Sequence, residues 1–441
     1  MAVSFGNSAE PPGESLERAV DLLVDYLAVA RRGAPSRSTA AVRSAVATAG
    51  GGRSLLDAGG GFASAENAAL VNGTAAHGIE LDDTYESGSL HPGVAVWPAV
   101  LALADELRSP AAPVLAAAVR GYDVVCDLGD RLGAKRAYAR GFHPTGVCGV
   151  VGAAAACAQL LELDEEGSRH AVGIAASMAA GLLAFLDDGA WTKPLHAGRA
   201  AEGGIRAARL AAAGFVGPSD PFGGEHGLLH AFGGEEELAM PVPVPGFGVL
   251  QTSIKLYPSC RYTHGCIDLL LELGPEPEAI EAVDCAVLRG GWTLVADPIE
   301  RKRRAASTVD AQFSMPFTAA LAIAEGGVRL DDVERAAELG PKLEPIMDRV
   351  SCFEDAEIES AYPASWGAVV RVRYRDGAVE ERRSSDPLGS PSRPLDRDGI
   401  LAKAAGLLGA DWASEAGRAV AGLADASDLS AVLEPLRGGR S

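Results

Sequence analysis

Three short segments of the chain place basic side chains directly before apolar stretches with helical spacing. They are His91-Pro92, Phe142-His143-Pro144-Thr145-Gly146 and Trp191-Thr192-Lys193-Pro194-Leu195-His196. A helix N-terminus carries unpaired N–H groups and the positive end of the helix dipole, which suits a carboxylate or phosphate. If the three segments converge in the fold, they form an anion site. If they do not, they are ordinary loops.

An acidic segment, 77–84, contains His77, Glu80, Asp82 and Asp83. His77 and Asp82 are five residues apart, which is off the i, i+4 spacing that aligns two side chains on one helix face. The sequence therefore predicts no metal site here. We expect a helix C-terminus at which Asp82 acts as a base or orients a basic partner. A plain solvated pair, Asp82–Asp83, is the alternative.

The densest polar cluster of the chain is Lys255-Leu-Tyr-Pro-Ser-Cys260-Arg261-Tyr-Thr-His264. Lys255, Arg261 and His264 stand close together in a protein that has 39 Lys and Arg against 59 Asp and Glu. Arg binds a carboxylate through two parallel N–H groups. We therefore interpret the cluster as a clamp for a carboxylate.

Composition excludes several other classes of protein. The net charge of −20 argues against binding to nucleic acid or to an anionic membrane surface. The GxSxG and GxxxxGK[ST] motifs are absent, and the seven scattered cysteines show no disulfide or metal-binding pattern. The cysteines are interpreted as reduced thiols, and the expected location is the cytoplasm.

The arrangement of elements predicts a mainly α protein. Helical periodicity dominates up to about residue 240, including predicted helices at 146–163, 167–186 and 198–213. A Pro-rich connector at 240–247 is followed by strand-like stretches at 249–256, 282–288 and 367–374, the last with an Asp-Gly hairpin signal. We predict a large helical domain formed by both chain ends, 1–245 and 395–441, with an inserted α+β lid domain at 246–394.

Together these segments resemble the MmgE/PrpD family, which includes 2-methylcitrate dehydratase, cis-aconitate decarboxylase and iminodisuccinate epimerase. The similarity runs in order through Asn72–Thr84, His91-Pro92, Phe142–Gly146, Lys193–Ala201, Lys255–His264 and Asp310–Ser314. The resemblance implies the same helical domain with a lid, a cleft between them, a homodimer and no cofactor. Independently of the resemblance, we predict no metal, because no set of His, Cys and carboxylate residues has convincing ligand spacing.

The resemblance also implies roles for individual residues. His143, His91, Lys193, Lys255 and Asp82 match positions of the catalytic machinery. Substrate binding is assigned to eight further residues: Asp83, Thr84, Thr145, Arg199, Cys260, Arg261, His264 and Phe317.

Three positions depart from the decarboxylase branch of the family. Glu80 stands in place of Asp, Cys260 in place of His, and Phe317 in place of Tyr. The missing imidazole and hydroxyl argue against decarboxylation and leave dehydration and epimerisation untouched.

One chemistry underlies these reactions. Removing a proton next to a carboxylate creates a dianion that Lys193, Lys255 and Arg261 are suited to stabilise. His143, or otherwise His91, takes the proton or delivers one to a leaving hydroxyl. Loss of a hydroxyl then gives dehydration, and return of the proton to the other face gives epimerisation. We expect a dehydratase-type lyase for a small di- or tricarboxylic acid. Epimerisation, decarboxylation and a silent helical scaffold are the alternatives.

Overall fold

The computed structural model describes residues 11–46, 52–55, 61–234 and 247–437. Helices of the first part are α1 Gly13–Gly33, α2 Arg37–Val46, α3 Ala65–His77, α4 Gly93–Leu107, α5 Ala111–Leu132, α6 Ala134–Ala139, α7 Pro144–Leu160, α8 Glu165–Ala176, α9 Phe185–Asp188, α10 Thr192–Ala212 and α11 Leu228–Gly233. Four two-residue strands pair with one another, β1 Ser54–Leu55 with β2 Phe62–Ala63 and β3 Thr84–Tyr85 with β4 Thr252–Ser253.

The second part follows β4 and combines helices with a sheet. Its elements are α12 His264–Leu273, β5 Ile280–Ala286, α13 Ile299–Lys302, α14 Thr308–Gln312, α15 Met315–Glu325, α16 Leu330–Glu334, α17 Ala336–Met347, β6 Val350–Phe353, α18 Ala356–Ala361, β7 Ala368–Tyr374 and β8 Val379–Ser384. The chain then returns to helices in α19 Arg397–Leu408, α20 Ala410–Val420 and α21 Leu429–Leu433.

The larger hydrophobic core joins residues from both ends of the described chain. Leu23 of α1, Ile400 of α19 and Leu433 of α21 are buried in one cluster with the apolar faces of α3, α4, α5, α7 and α10. Close helix packing is possible because small residues meet at the contacts. A Cβ on Gly198 of α10 would lie 2.2 Å from the Leu70 carbonyl oxygen of α3. This contact sets the position of α10, and hence of Lys193, against the helix that ends at His77.

A second core belongs to the α+β part. It contains Leu269 of α12, Phe317 of α15 and Val370 of β7 among its buried residues. The sheet order is β6-β5-β7-β8, with β5 parallel to β6 and antiparallel to β7. The Asp-Gly hairpin is confirmed, since β7 and β8 pair antiparallel around Gly377, whose φ is 88°.

The mainly α fold class with a smaller α+β part is confirmed. The division at residues 245 and 394 stays a prediction, and the Pro-rich connector lies outside the described residues except for Phe247. Within the described ranges, none of the helices combines the length and the apolar character needed to cross a membrane.

Three predicted elements differ from the structure. The helix predicted at 167–186 ends at Ala176, because the chain beyond it pairs with the segment before α7: Gly181 accepts a hydrogen bond from the His143 N–H, and the Leu183 N–H donates to Gly141. Gly181 has a φ of 137°, which a helix does not allow.

The strand predicted at 249–256 is reduced to the two residues of β4. A 3₁₀ turn, Gly248–Gln251, precedes it, and the Thr252 hydroxyl closes that turn by donating to the Gly248 carbonyl oxygen at 2.8 Å. The helix predicted at 198–213 begins earlier, at Thr192. Lys193 and His196 therefore lie inside α10 and not in the loop before it.

Candidate active site

A buried loop between α3 and α4 carries the acidic segment into the interior. The helix stops after His77, and Thr84 and Tyr85 then pair with β4, which anchors the loop to the segment that leads to Lys255. Glu80 adopts a φ of 57°, a left-handed conformation that is uncommon for residues other than glycine. The turn brings Glu80 and Asp82 back beneath the end of α3.

Asp82 lies between two histidines. Its Oδ2 is 2.8 Å from His77 Nδ1 and 3.1 Å from His91 Nδ1. The Asp82 and His77 side chains are nearly inaccessible to solvent, and that of His91 is 11% exposed. Burial by itself raises the pKa of Asp82, but the charge of His91 and the hydrogen bonds of both histidines outweigh it, so the pKa falls well below its usual range. Asp82 is therefore an ionised carboxylate that orients two imidazoles.

The hydrogen bonds also decide where the proton of His91 lies. Its Nδ1 is 2.8 Å from the carbonyl oxygen of Asp83, which only accepts hydrogen bonds. Nδ1 therefore carries the proton. In the neutral ring, the lone pair is on Nε2, for which the described residues provide no partner. This is the form a general base requires.

The same three side chains are close enough together to be considered as ligands of a metal ion. His77, Asp82 and His91 each place one potential ligand atom within 4.8 Å of the others. The five-residue spacing therefore does not keep His77 and Asp82 apart, because the chain leaves the helix after His77. The set nevertheless fits a metal poorly, since the His91 Nδ1 is protonated toward Asp83 and offers no lone pair there. A metal-free site stays a prediction.

A second group of imidazoles surrounds His143, the residue before α7. Its ring stacks on His77 at a centroid distance of 5.6 Å, and its Nδ1 is 3.1 Å from His196 Nδ1. Burial, reinforced by the neighbouring histidines, lowers the pKa of His143 well below its usual value. Burial lowers the pKa of His77 to about 3 and that of His196 to about 4. These rings are neutral at physiological pH.

Two lysines from distant parts of the chain meet on one carboxylate. Lys193 contacts Glu80 Oε1, and Lys255 Nζ lies 2.9 Å from Glu80 Oε2 and 3.2 Å from the Glu80 carbonyl oxygen. The side chains of Lys193 and Lys255 are 9% and 0% exposed, so neither charge is shielded by bulk water. Burial lowers the pKa of both lysines, and Lys255 lowers that of Lys193 further.

The segment 255–264 behaves differently from the expected clamp. Arg261 donates to Glu86, to the Leu388 carbonyl oxygen and to Ser390, and its Nη1 lies 3.2 Å from His264 Nδ1. His264 is fully buried, with Nε2 against the Ser259 carbonyl oxygen at 3.2 Å. Most of the hydrogen-bonding capacity of this pair is thus already used within the protein.

Two adjoining cavities lie next to these groups. The inner cavity, about 40 Å³, is lined by polar groups that include Thr84, His91, His143, Lys193, Lys255, Cys260 and Arg261. The outer cavity, about 500 Å³, reaches Arg37 and Trp191. Glu80, Phe185, Lys193 and Phe313 line both cavities.

The structure thus brings seven of the predicted residues to one cavity, and the three basic segments converge. Asp82 lies directly behind His91. Five other predicted residues do not line the two cavities: Asp83, Thr145, Arg199, His264 and Phe317. Asp83 binds the Gly93 N–H and the Tyr122 hydroxyl, and Thr145 accepts from the His91 N–H at 3.1 Å.

Two of these five have no direct bearing on the cavity. The Arg199 side chain is 56% exposed and pairs with Glu202 on the surface of α10. Phe317 is completely buried in the second core and lines neither cavity. Cys260, by contrast, does line the cavity, and burial raises the pKa of its thiol.

Both parts of the chain match models of one protein family. The MmgE/PrpD N-terminal domain matches residues 6–241, and the MmgE/PrpD C-terminal domain matches residues 257–425. The chain belongs to the MmgE/PrpD family.

Relatives within this family share about a quarter of their residues with the chain. A human (Homo sapiens) cis-aconitate decarboxylase is 27% identical over 385 residues, covering 84% of this chain and 79% of the relative. The cis-aconitate decarboxylase-like protein oryM of Aspergillus oryzae is 26% identical, covering 84% and 82%. A cis-aconitate decarboxylase of Aspergillus terreus is 25% identical, covering 84% and 80%.

The sequence predicts no site role for Glu80, which binds both lysines, or for Phe313 and Phe185, which line both cavities. The aromatic residues gave no signal, since apolar rings in helical proteins are ordinarily core residues. For Glu80 the sequence does contain a signal, because the residue is one of the carboxylates of the acidic segment 77–84.

Proposed function

We propose that this MmgE/PrpD protein is a lyase that moves a proton on the carbon next to a carboxylate of a small di- or tricarboxylic acid, with dehydration as the net reaction. The observation that carries this proposal is the position of His91. Its Nδ1 is held by Asp82 and the Asp83 carbonyl oxygen, and the ring lines the same cavity as the two buried lysines.

The proposed role of each residue follows from its charge. His91 takes the proton through Nε2, and Asp82 stabilises the imidazolium that forms. Lys193 and Lys255 stabilise the negative charge that develops on the substrate carboxylate, an interaction that is strong because both ammonium groups are buried. The His91 imidazolium then gives this proton to the leaving hydroxyl, which departs as water, and His143, neutral and in the same cavity, binds that hydroxyl by a hydrogen bond.

Decarboxylation is the second candidate. The names of the relatives favour it, since they are cis-aconitate decarboxylases. The presence of Cys260 in the cavity wall, at a position where the resemblance implies histidine, argues against it. Epimerisation uses the same proton transfer without loss of a group.

One experiment separates these reactions. The purified protein is incubated in D₂O with a panel of di- and tricarboxylic acids, and NMR follows deuterium uptake, new olefinic signals and released CO₂. Dehydration predicts deuterium exchange with olefinic product, decarboxylation predicts CO₂, and epimerisation predicts exchange alone. The same panel with EDTA tests the metal-free prediction, which is wrong if chelation abolishes turnover and one divalent ion restores it.

A silent helical scaffold is the non-enzymatic alternative. It predicts neither exchange nor a thermal shift with any acid of the panel, and that outcome would contradict the proposal. A homodimer in the cytoplasm is part of the proposal too. Light scattering tests the dimer, and cell fractionation tests the location.

A further inference from the structure

Glu80 occupies the position where an anionic ligand would meet both lysines. Its two carboxylate oxygens are divided between Lys193 and Lys255, and its side chain is 4% exposed. We propose that Glu80 is an internal competitor for the substrate carboxylates and makes the site select dicarboxylic over tricarboxylic acids. This inference rests on the proposed function and narrows it to one substrate class.

The backbone aims Glu80 at the lysines. With a φ of 57°, the residue directs its carbonyl oxygen and its carboxylate toward the same ammonium group, that of Lys255, at 3.2 and 2.9 Å. A residue other than glycine persists in this conformation only where the surroundings over-determine it, and such positions cluster at functional sites. The contacts with Lys193 and Lys255 hold Glu80 in this conformation.

Few cationic donors remain for a ligand while Glu80 is in place. An ammonium group has three N–H donors. Among the described residues, Lys193 gives one to Glu80 and keeps two, whereas Lys255 gives two and keeps one. Arg261 is committed to Glu86, Leu388 and Ser390. The lysine pair therefore has room for one carboxylate.

The outer cavity supplies a second cationic position. Arg37 lies in its wall, with its guanidinium 5.1 Å from the centre of the Trp191 ring. A dicarboxylate that spans the two cavities meets the lysine pair at one end and Arg37 at the other. A third carboxylate would find its donors occupied by Glu80.

The cavity volumes point to the same competition. The inner cavity of about 40 Å³ holds about three water molecules, less than a small dicarboxylic acid needs. Because Glu80 and Lys193 line both cavities, they form part of the partition between them. A ligand that reaches from the outer cavity toward His91 has to pass beside this contact, and it meets the Glu80 carboxylate together with the Lys193 ammonium group.

Calorimetric titration with succinate and citrate tests the inference. Wild-type protein is expected to bind succinate more tightly than citrate. In Glu80→Gln, the ratio of the citrate Kd to the succinate Kd should fall by about tenfold or more, because a like charge facing the ligand has been removed. Glu66→Gln is the matched control: it removes a carboxylate of α3 that pairs with Arg209 at 2.8 Å, away from the two cavities.

Glu80→Gly is the second variant, since glycine suits the positive φ and also removes the carboxylate. Both variants should melt at a lower temperature than wild type and recover more stability with citrate than with succinate. An unchanged Kd ratio in the folded variants, or an equal change in Glu66→Gln, would overturn the inference and leave the proposed function standing. Failure of every variant and the wild type to bind any carboxylate would overturn both.

Discussion

The helical part and the segment 255–264 both bring basic side chains to the inner cavity, but they use them differently. In the helical part, the His91 Nε2 and two N–H donors of Lys193 have no hydrogen-bond partner among the described residues. In the segment 255–264, Arg261 and His264 are bonded to protein acceptors. Lys255 is the exception, because its partner is the one carboxylate it shares with Lys193.

This difference separates groups that can do chemistry from groups that hold the fold. A buried charge is tolerated only with partners, and partners consume its hydrogen-bonding capacity. Arg261 ties the start of α12 to Glu86 and to the loop around Ser390, so it joins the two parts of the molecule. His91 instead has one nitrogen fixed and the other available.

The largest expected effect is the loss of the base. His91→Asn should lower α-proton exchange in D₂O at saturating substrate by about 10³-fold, within the range for general base catalysis. His143→Asn should lower it less if His143 acts on the leaving group. Exchange that survives in His91→Asn and disappears in His143→Asn would reverse the two roles.

The next effect concerns stability and contrasts a buried ion pair of the helical part with an exposed one of the α+β part. Lys403 of α19 lies 2.6 Å from Asp25 and donates to the Leu81 carbonyl oxygen at 2.8 Å, next to Asp82. Lys403→Met leaves Asp25 buried without its partner and should cost about 3 kcal/mol of unfolding free energy.

Urea denaturation measures this cost, and Lys342→Met is its control. The Lys342–Glu338 pair is exposed, with side-chain exposures of 64% and 52%, so the control should change stability by less than about 0.5 kcal/mol. Equal losses in the two variants would show that burial does not distinguish the two parts.

The two lysines should have similar effects although they come from different parts of the chain. Lys193→Ala and Lys255→Ala should each lower kcat by about 10²-fold, as expected for a lost electrostatic donor. Steady-state kinetics with melting curves as a fold control measures this. Arg261→Lys should instead lower the melting temperature, and in the protein that remains folded it should lower kcat less than either lysine variant does. An unchanged melting temperature with a larger loss of activity would show that Arg261 binds the substrate.

The smallest expected effect is a pH dependence of the unfolding free energy. It arises at the hydrogen bond between Asp123 of α5 and Gly248, the residue that follows the Pro-rich connector. Burial raises the pKa of Asp123 to about 6, and the residue accepts a hydrogen bond from the Gly248 N–H at 2.7 Å. Because the folded state binds this proton more tightly, its stabilising contribution is complete below pH 4 and is lost as the pH rises through 6.

Denaturation of the wild type and of Asp123→Asn at pH 4 and pH 7 measures that contribution. The stability difference between the two proteins should change by about 2 kcal/mol over this range, with the wild type less stable relative to Asp123→Asn at pH 7 than at pH 4. No change, or a change of opposite sign, would show that Asp123 titrates normally.

The sequence by itself determined the helical class, the Asp-Gly hairpin and seven of the residues that line the inner cavity. Helical periodicity and turn residues are local properties, so 367–383 was predicted as the hairpin that β7 and β8 form. The blocks around His91, His143, Lys193 and Lys255 were likewise identifiable without coordinates. The sequence does not determine whether these blocks converge, because no local pattern indicates which helix ends meet.

Tertiary structure alone decided which side chains are available. The spacing of His77 and Asp82 argued against contact, yet a positive φ at Glu80 and the pairing of β3 with β4 return the chain so that Asp82 binds both His77 and His91. Arg261 and Lys255 look equivalent in the sequence, and only the long-range acceptors distinguish them. Hydrogen-bond partners that lie far apart in the sequence, such as Glu80 and Lys255 with a separation of 175 residues, depend on packing and not on local spacing.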